Sequence, residues 1–348
     1  MVLAGPVSAA ILTRRDFMDR NRMQKAKQRL AMGGGLALVG VILVLTPWAV
    51  RGQSAGQSLP AEERSAEGKE ARFTAEVDLV ALSAAVLDQN QQLVTGLPRE
   101  AFQVLQDGKE QTITQFSNRD IPVSMGILVD SSASMVDKRA AVNAAALALV
   151  RASNPEDEVF ILNFKDTPEV TQDYTNDIAL LSQGLSDVRM WGGTAVLDAV
   201  RAGAEHALQG TRDKKVLLVI TDGEDESSKL SLKELLGVLQ KAEVTIYTIG
   251  ILSRESSRSR RNAEKMLKAI ANVSGGAAYF PNGLEEVEAL ATRIAHDIRN
   301  QYVLGYPVPV GTKPGFHSIR VQVKAPRRGK FTVRTRPGFF YEPPSSKR

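Results

Sequence analysis

The sequence predicts an α/β protein, doubly wound around a mostly parallel central sheet that is flanked by helices. Two observations favour this fold class. Between residues 123 and 300, short continuous apolar runs alternate with longer segments whose apolar residues recur at helical spacing. Apolar strands separated by amphipathic helices are typical of parallel strands that are buried on both faces of a sheet.

The predicted strands of this central region are short and apolar. They cover residues 123–129, 157–164, 216–221, 244–251 and 277–280. The predicted helices lie between and after these strands. They cover residues 137–152, 195–208, 231–243, 262–274 and 285–301. In the helix at 231–243, four leucines fall on one face, which indicates the side that packs on the sheet. They are Leu232, Leu235, Leu236 and Leu239.

The segments on either side of the predicted α/β domain at 121–300 have a different pattern. Residues 72–120 and 301–341 alternate apolar and polar side chains, with Gly and Pro at the turns. The pair Asp107–Gly108 between two strand-like runs is a hairpin signal. We therefore expect the two segments to pair into an accessory β-sandwich-like module, with the α/β domain inserted between them.

The first 50 residues predict a signal peptide or an N-terminal membrane anchor. The segment 36–45 is strongly apolar, carries no charge and follows a stretch rich in Lys and Arg, which is typical of export signals. Residues 51–71 are polar and predict a linker, and residues 342–348 form a short tail. The sequence thus predicts an exported protein of the periplasm or cell envelope, either secreted or anchored by residues 1–50.

The composition excludes several kinds of site. The chain has no cysteine, which excludes disulfides, thiolate metal ligands and cysteine nucleophiles. Its three histidines are far apart and do not form the spacing of zinc hydrolases. The net charge of +5 is modest, and the basic N-terminal segment contributes to it, so we expect no nucleic-acid partner.

Three polar clusters lie where the predicted strands end or where a predicted helix begins. Their sequences are DSSAS at 130–134, WGGTAV at 191–196 and TDGEDESS at 221–228. Because ligands of open parallel sheets gather at the carboxyl ends of the strands, we expect these clusters to meet at one edge. The side chains that we expect to converge there are Asp130, Ser132, Ser134, Thr194 and Asp222.

These five side chains offer only oxygen atoms as ligands. Two carboxylates and three hydroxyls suit Mg²⁺, Mn²⁺ or Ca²⁺ better than zinc or copper. Since few carboxylates bind directly, the ion is left undercharged and open to an incoming carboxylate. The alternative interpretation is that these residues only form turns and cap helices, which Asp and Ser both favour.

The order D-x-S-x-S, then T, then D resembles the metal-ion-dependent adhesion site of von Willebrand factor type A domains. All five positions match, namely Asp130, Ser132, Ser134, Thr194 and Asp222. The resemblance implies that these residues ligate Mg²⁺, directly or through water, and that a Glu or Asp carboxylate of a protein partner completes the shell. The flanking sequence is similar to exported von Willebrand factor type A-related proteins, notably those of acidobacteria. The resemblance implies adhesion or protein–protein interaction and no enzyme activity.

Two other functions stay open at this point. A metal-assisted hydrolase would use metal-bound water as a nucleophile, although no histidine is near the three clusters in sequence. An aspartyl phosphatase would need D-x-D, where this chain has D-x-S. In the other alternative, the metal is purely structural and holds the loops together.

Neighbouring residues carry weaker predictions. Arg254, Arg258, Arg260 and Arg261, in the predicted loop 253–262, either attract an acidic partner or belong to a solvated loop. We expect Trp191 to pack beneath the threonine loop, residues 191–196, and the alternative is that it is an exposed contact for a partner. We expect the acidic run Glu224, Asp225 and Glu226 to be a solvated loop or the charge at a helix N-terminus, and the alternative is that it tunes the bound ion.

Overall fold

The structure, a computed structural model, describes residues 78–343 except Asp187, Glu224, Arg254 and 325–328. The predicted signal or anchor at 1–50 and the predicted linker at 51–71 lie outside the described residues. Within the described ranges, no helix is both long enough and apolar enough to cross a membrane.

The described residues form the following elements. The strands are β1 Leu79–Leu87, β2 Phe102–Gln106, β3 Lys109–Gln111, β4 Gln115–Ser117, β5 Val123–Asp130, β6 Glu158–Phe164, β7 Pro168–Thr175, β8 Lys214–Thr221, β9 Val244–Gly250, β10 Ala278–Tyr279, β11 Tyr302–Pro307, β12 Gly315–Val323, β13 Thr332–Arg334 and β14 Gly338–Tyr341. The α-helices are α1 Arg139–Ala152, α2 Ile178–Ser186, α3 Val196–Ala207, α4 Leu232–Lys241, α5 Ser257–Ser274 and α6 Val287–Arg299.

A six-stranded sheet in the order β10-β9-β8-β5-β6-β7 forms the centre of the α/β region. All its neighbouring strands are parallel except β6 and β7. Every residue of β5 is buried, because helices cover both faces of the sheet. One face packs against α1, α2 and α6, and the other packs against α3, α4 and α5. The predicted fold class is therefore confirmed.

Two elements, β7 and α2, were not predicted. Strand β7 lies at the edge of the sheet, and none of its residues is fully buried, so it lacks the apolar run that marks the central strands. Helix α5 also begins at Ser257, five residues before the predicted start. Its early turns are polar, and Ser256 caps it by accepting a hydrogen bond from the backbone N–H of Ser259 at 3.3 Å.

The flanking segments form two four-stranded antiparallel sheets, β13-β1-β11-β4 and β14-β12-β2-β3. Each sheet combines strands from before and after the α/β region, and both line one apolar core. The Tyr306 hydroxyl of β11 donates a hydrogen bond to Gln106 of β2 at 3.0 Å, which links the two sheets inside that core. Asp107 and Gly108 both have positive φ, as expected for the predicted hairpin turn. The extra sheets agree with the predicted accessory β module.

Candidate metal centre

The two predicted aspartates lie at the ends of neighbouring strands. Asp130 is the last residue of β5, and Asp222 directly follows β8. These strands are parallel, with Val129 opposite Ile220, so their carboxyl ends lie side by side. Both aspartates are buried. The sheet topology therefore brings together two carboxylates that are far apart in the sequence.

The Asp130 carboxylate is held at both oxygens. Its Oδ1 accepts a hydrogen bond from the backbone N–H of Ser132 at 2.9 Å, and its Oδ2 accepts one from the Thr221 hydroxyl at 2.6 Å. Burial raises the pKa of Asp130 to about 6, although these hydrogen bonds act in the opposite direction. The negative charge is thus poorly solvated at this position, which favours a nearby cation.

The two predicted serines lie between the carboxylates. Ser132 begins a short 3-10 turn, Ala133–Lys138, that leads into α1. Its hydroxyl lies 3.1 Å from the Ser134 hydroxyl, which donates a hydrogen bond to Asp222 Oδ1 at 2.9 Å. Asp130 and Asp222 are therefore linked by hydrogen bonds that run through the backbone N–H and hydroxyl of Ser132 and the hydroxyl of Ser134.

Thr194 is buried and reaches this group of loops through its backbone. Its carbonyl oxygen accepts hydrogen bonds from the N–H groups of Glu226 at 2.9 Å and Ser227 at 3.1 Å, in the loop that follows Asp222. Among the described residues, the Thr194 hydroxyl makes no hydrogen bond to the other four predicted ligands. The structure thus joins Thr194 to the site through the loop that follows Asp222.

Asp166 positions the threonine loop, a role that the sequence interpretation missed. Its Oδ1 accepts hydrogen bonds from the backbone N–H of Gly193 at 2.9 Å and from the Ser227 hydroxyl at 3.3 Å. At Gly192, φ is +88° and a Cβ atom would lie 2.3 Å from the Asp166 carboxylate, so a larger residue would clash. A carboxylate two residues after predicted strand 157–164 was the available signal.

Asp225 caps a helix. Its Oδ1 accepts hydrogen bonds from the backbone N–H of Leu197, in the first turn of α3, at 3.1 Å and from the Ser228 hydroxyl at 2.5 Å. In return, Asp198 of α3 accepts hydrogen bonds from the backbone N–H groups of Lys229 at 3.0 Å and Leu230 at 3.2 Å. This reciprocal pairing agrees with the expected role of Asp225 as a charge at a helix N-terminus.

Two consecutive basic residues contact the site and were not predicted to do so. Lys138 Nζ forms a buried ion pair with Asp222 Oδ2. Arg139 Nη1 donates a hydrogen bond to the Ser131 hydroxyl at 3.1 Å, and Nη2 donates one to Asn163 Oδ1 at 2.9 Å. Cations are unfavourable at a helix N-terminus, so their position where α1 begins was a signal that acidic or polar partners lie nearby.

The region that contains the candidate metal ligands matches a known protein family. Residues 125–293 match the family model of the von Willebrand factor type A domain. This region is a von Willebrand factor type A domain. All five predicted metal ligands lie within the matched range.

Parts of this chain are similar to several known proteins. The uncharacterized protein sll0103 of Synechocystis sp. is 24% identical over 174 residues, which cover 48% of this chain and 40% of that protein. This chain thus spans less than half the length of that relative. A von Willebrand factor type A structure from Catenulispora acidiphila has a TM-score of 0.45 and 13% identity, over 78% of this chain and 76% of that chain. The PilB minor pilin from Streptococcus sanguinis has a TM-score of 0.44 and 12% identity, over 53% and 63% of the two chains.

Exposed apolar side chains lie on the loops of the type A domain that carry the site. Trp191 is 56% exposed, so the expectation that it packs beneath the threonine loop is wrong. Lys165 Nζ lies 4.5 Å from the centre of the Trp191 ring, and this contact orients the ring at the surface. Val136, two residues after Ser134, is 54% exposed. The type A domain thus presents apolar surface on two of the site loops.

The predicted arginine loop 253–262 is partly helical. Arg258, Arg260 and Arg261 belong to the first turns of α5, because that helix begins at Ser257. Arg260 forms an ion pair with Glu264 at 3.1 Å. Arg254 lies outside the described residues.

The donor set of the type A domain fits a hard divalent cation. It contains two buried carboxylates and hydroxyl groups within hydrogen-bond distance, and such oxygen atoms are preferred by Mg²⁺ and Ca²⁺. In the described part of the chain, no three acidic, histidine or cysteine side chains converge into a group that could hold a metal. A cation at this site would therefore depend on the hydroxyls as well as on Asp130 and Asp222.

Proposed function

We propose that the type A domain binds a divalent cation, Mg²⁺ or alternatively Mn²⁺ or Ca²⁺, and uses it to bind a Glu or Asp carboxylate of a protein partner. The proposed ligands are Asp130, Ser132, Ser134, Thr194 and Asp222. One observation carries the proposal: two buried carboxylates lie at adjacent strand ends, and hydrogen bonds through the Ser132 backbone N–H and the Ser132 and Ser134 hydroxyls connect them. The cation, when bound, supplies the positive charge that an incoming carboxylate binds.

Different parts of the chain position the two carboxylates of the proposed site. Thr221 and the Ser132 backbone fix the orientation of Asp130, while β8 positions Asp222 beside it. Ser134 is exposed, so the hydrogen-bonded link between the two carboxylates reaches the surface at that residue. A partner carboxylate can approach from that side, and exposed Trp191 offers apolar contact on a neighbouring loop.

We propose binding and not catalysis. Two of the three histidines are engaged elsewhere: His206 Nε2 lies 3.0 Å from Asp173, and His317 Nδ1 lies 2.6 Å from Asp107. In the described ranges, no histidine makes a hydrogen bond to the proposed ligands, so the site does not pair a metal-bound water with a histidine general base. We further propose that the protein acts in the cell envelope or outside the cell, on the basis of the predicted export segment at 1–50.

Isothermal titration calorimetry of the full chain tests the proposal. Mg²⁺, Mn²⁺ and Ca²⁺ are titrated with and without a short peptide that contains one glutamate. We expect the peptide to bind only with metal and to tighten metal binding by the same factor by which metal tightens peptide binding. Asp130→Ala should abolish both events, while Glu255→Gln, which removes a carboxylate after neighbouring strand β9, should change neither.

Two results would overturn the proposal. Metal binding that survives Asp130→Ala would place the cation elsewhere, and peptide binding that is unchanged in a chelator would show that the metal plays no part. Turnover of an ester or phosphate substrate that disappears in Asp130→Ala would instead favour a hydrolase.

A further inference from the structure

The contact between Lys138 and Asp222 lies inside the proposed metal site. Lys138 is the last residue of the 3-10 turn that carries Ser134, and its Nζ pairs with Asp222 Oδ2. The two side chains are 6% and 1% exposed. The other oxygen of Asp222 accepts the hydrogen bond from Ser134. Both oxygens of this proposed ligand are therefore occupied by groups of the chain.

The lysine balances charge that would otherwise be costly. Burying an isolated ion costs several kcal/mol, so a buried ammonium group is stable only beside a partner such as a carboxylate. Asp130 and Asp222 are close enough for their charges to interact unfavourably. The ammonium group of Lys138 offsets that repulsion, and it thereby stabilises the arrangement of the loops before a metal binds.

The same ammonium group cannot stay at Asp222 Oδ2 while a divalent cation binds there. A lysine ammonium donates three hydrogen bonds and has no lone pair for a metal. Two cations at one carboxylate oxygen also repel each other. We infer that Lys138 is a built-in counter-cation, which binds Asp222 until a divalent cation displaces it. This inference rests on the proposed function and adds the residue that sets the metal affinity.

The neighbouring guanidinium group does not have this role. Arg139 donates hydrogen bonds to the Ser131 hydroxyl, to Asn163 and to the backbone carbonyl oxygens of Asp130 and Leu185, but it donates none to the carboxylate of Asp130 or Asp222. Its contacts attach the start of α1 to β6 and to the end of α2. The competition with a metal is therefore specific to Lys138, although both residues bring positive charge near the site.

Calorimetry with Mg²⁺ alone and the full chain tests the inference. Lys138→Met removes the competing ammonium group and keeps much of the apolar stem. We expect it to tighten Mg²⁺ binding roughly tenfold to hundredfold, the range that corresponds to a hydrogen bond to a charged group. Lys229→Met is the matched control, because it removes an exposed positive charge from the loop that follows Asp222 and should change the affinity less than about twofold. An unchanged affinity in Lys138→Met would overturn the inference.

Chemical acetylation of the wild-type protein provides a second test that does not depend on folding of the variant. Without metal, Lys138 should react slowly because it is buried and paired, whereas exposed Lys229 should react readily. Saturating Mg²⁺ should increase the acetylation of Lys138, measured by mass spectrometry, and leave that of Lys229 unchanged. Protection of Lys138 that persists while Mg²⁺ is bound would overturn the inference.

These measurements separate the inference from the proposed function. If Mg²⁺ binds the wild-type protein and Lys138→Met equally, the proposed function stands and the inference fails. If Mg²⁺ binds Lys138→Met but not the wild-type protein, the inference stands and the proposed function of the native chain fails. If Mg²⁺ binds neither protein, both fail.

Discussion

Two ion pairs with a buried aspartate, Asp222–Lys138 and Asp297–Arg334, have similar charges and different surroundings. Asp222–Lys138 lies at the carboxyl ends of the central strands, where serine hydroxyls accompany the carboxylates. Asp297–Arg334 joins α6 of the type A domain to β13 of the β module. Oxygen-rich surroundings allow one cation to replace another, because a metal finds further ligands there.

The Asp297–Arg334 pair offers no such ligand set. The Arg334 guanidinium lies 5.7 Å from the centre of the Tyr247 ring, and Gln301 donates a hydrogen bond to the Tyr247 hydroxyl at 2.9 Å. Within the described ranges, Asp297 Oδ1 and Arg334 Nε have no hydrogen-bond partner. An aromatic, confined environment keeps the guanidinium where it is, so this pair is structural. The environment of an ion pair therefore decides whether its cation can be exchanged.

The largest expected effect concerns the structural pair. Arg334→Ala removes the ion-pair partner of the buried Asp297 carboxylate, and it should lower the free energy of unfolding by about 3–5 kcal/mol. Guanidinium denaturation measures this loss. The double variant Asp297→Leu/Arg334→Met removes both charges and should regain most of it. A loss below about 1 kcal/mol in Arg334→Ala would show that the pair does not stabilise the contact.

The second prediction separates the two aspartates. At a Mg²⁺ concentration of about 100 times the dissociation constant, binding should stabilise the native protein by about 2.7 kcal/mol. Asp222→Asn should remove this stabilisation. Asp297→Asn should lower the stability measured without Mg²⁺, but Mg²⁺ should still stabilise this variant by the same amount. Thermal melts with Mg²⁺ and with chelator measure both values. Equal Mg²⁺ responses in the two variants would remove the distinction between the pairs.

The third prediction concerns the exposed apolar surface beside the proposed metal site. Trp191→Ala should weaken binding of the glutamate peptide roughly tenfold, because exposed tryptophans often dominate interfaces. It should leave Mg²⁺ affinity unchanged, since Trp191 is not a proposed ligand. Leu208→Ala, which truncates an exposed leucine after the end of α3, is the control and should have no effect. A loss of Mg²⁺ affinity in Trp191→Ala would contradict this separation of roles.

The smallest expected effect concerns a third, more exposed pair, Asp107–His317. Its hydrogen bond at 2.6 Å raises the pKa of His317 and lowers the pKa of Asp107. The His317 contribution to stability is complete below about pH 6.5 and is lost as pH rises through the raised pKa. The Asp107 contribution is present above the ordinary aspartate pKa and is lost as pH falls through the lowered one.

His317→Gln should therefore cost less than about 1 kcal/mol, because Asp107 is 47% exposed and solvent screens the pair. The cost should be greatest near pH 5 to 6 and smaller at pH 8. Melting temperatures of both proteins across this range measure the difference. A cost that grows toward pH 8 would contradict the assignment of an ion pair.

The local pattern of the chain was sufficient for several features. Apolar strands that end in Asp130 and Asp222 predicted a parallel sheet and the edge where the carboxylates meet, since parallel strands share one carboxyl end. Every residue of β5 is buried, so the strand is a continuous apolar run that can be recognised in the sequence. By contrast, β7 and the start of α5 were missed, because an exposed edge strand and a charged helical turn have little apolar periodicity.

The positions of individual side chains depended on contacts between distant parts of the chain. That Lys138 pairs with Asp222, that Asp166 holds the threonine loop and that Trp191 faces solvent follows from how the loops pack around the strand ends. Sequence patterns record the period and polarity of a segment, and they identified the five proposed ligands. They do not record the direction of a lysine or tryptophan side chain, because that direction is set by neighbours that only folding brings together.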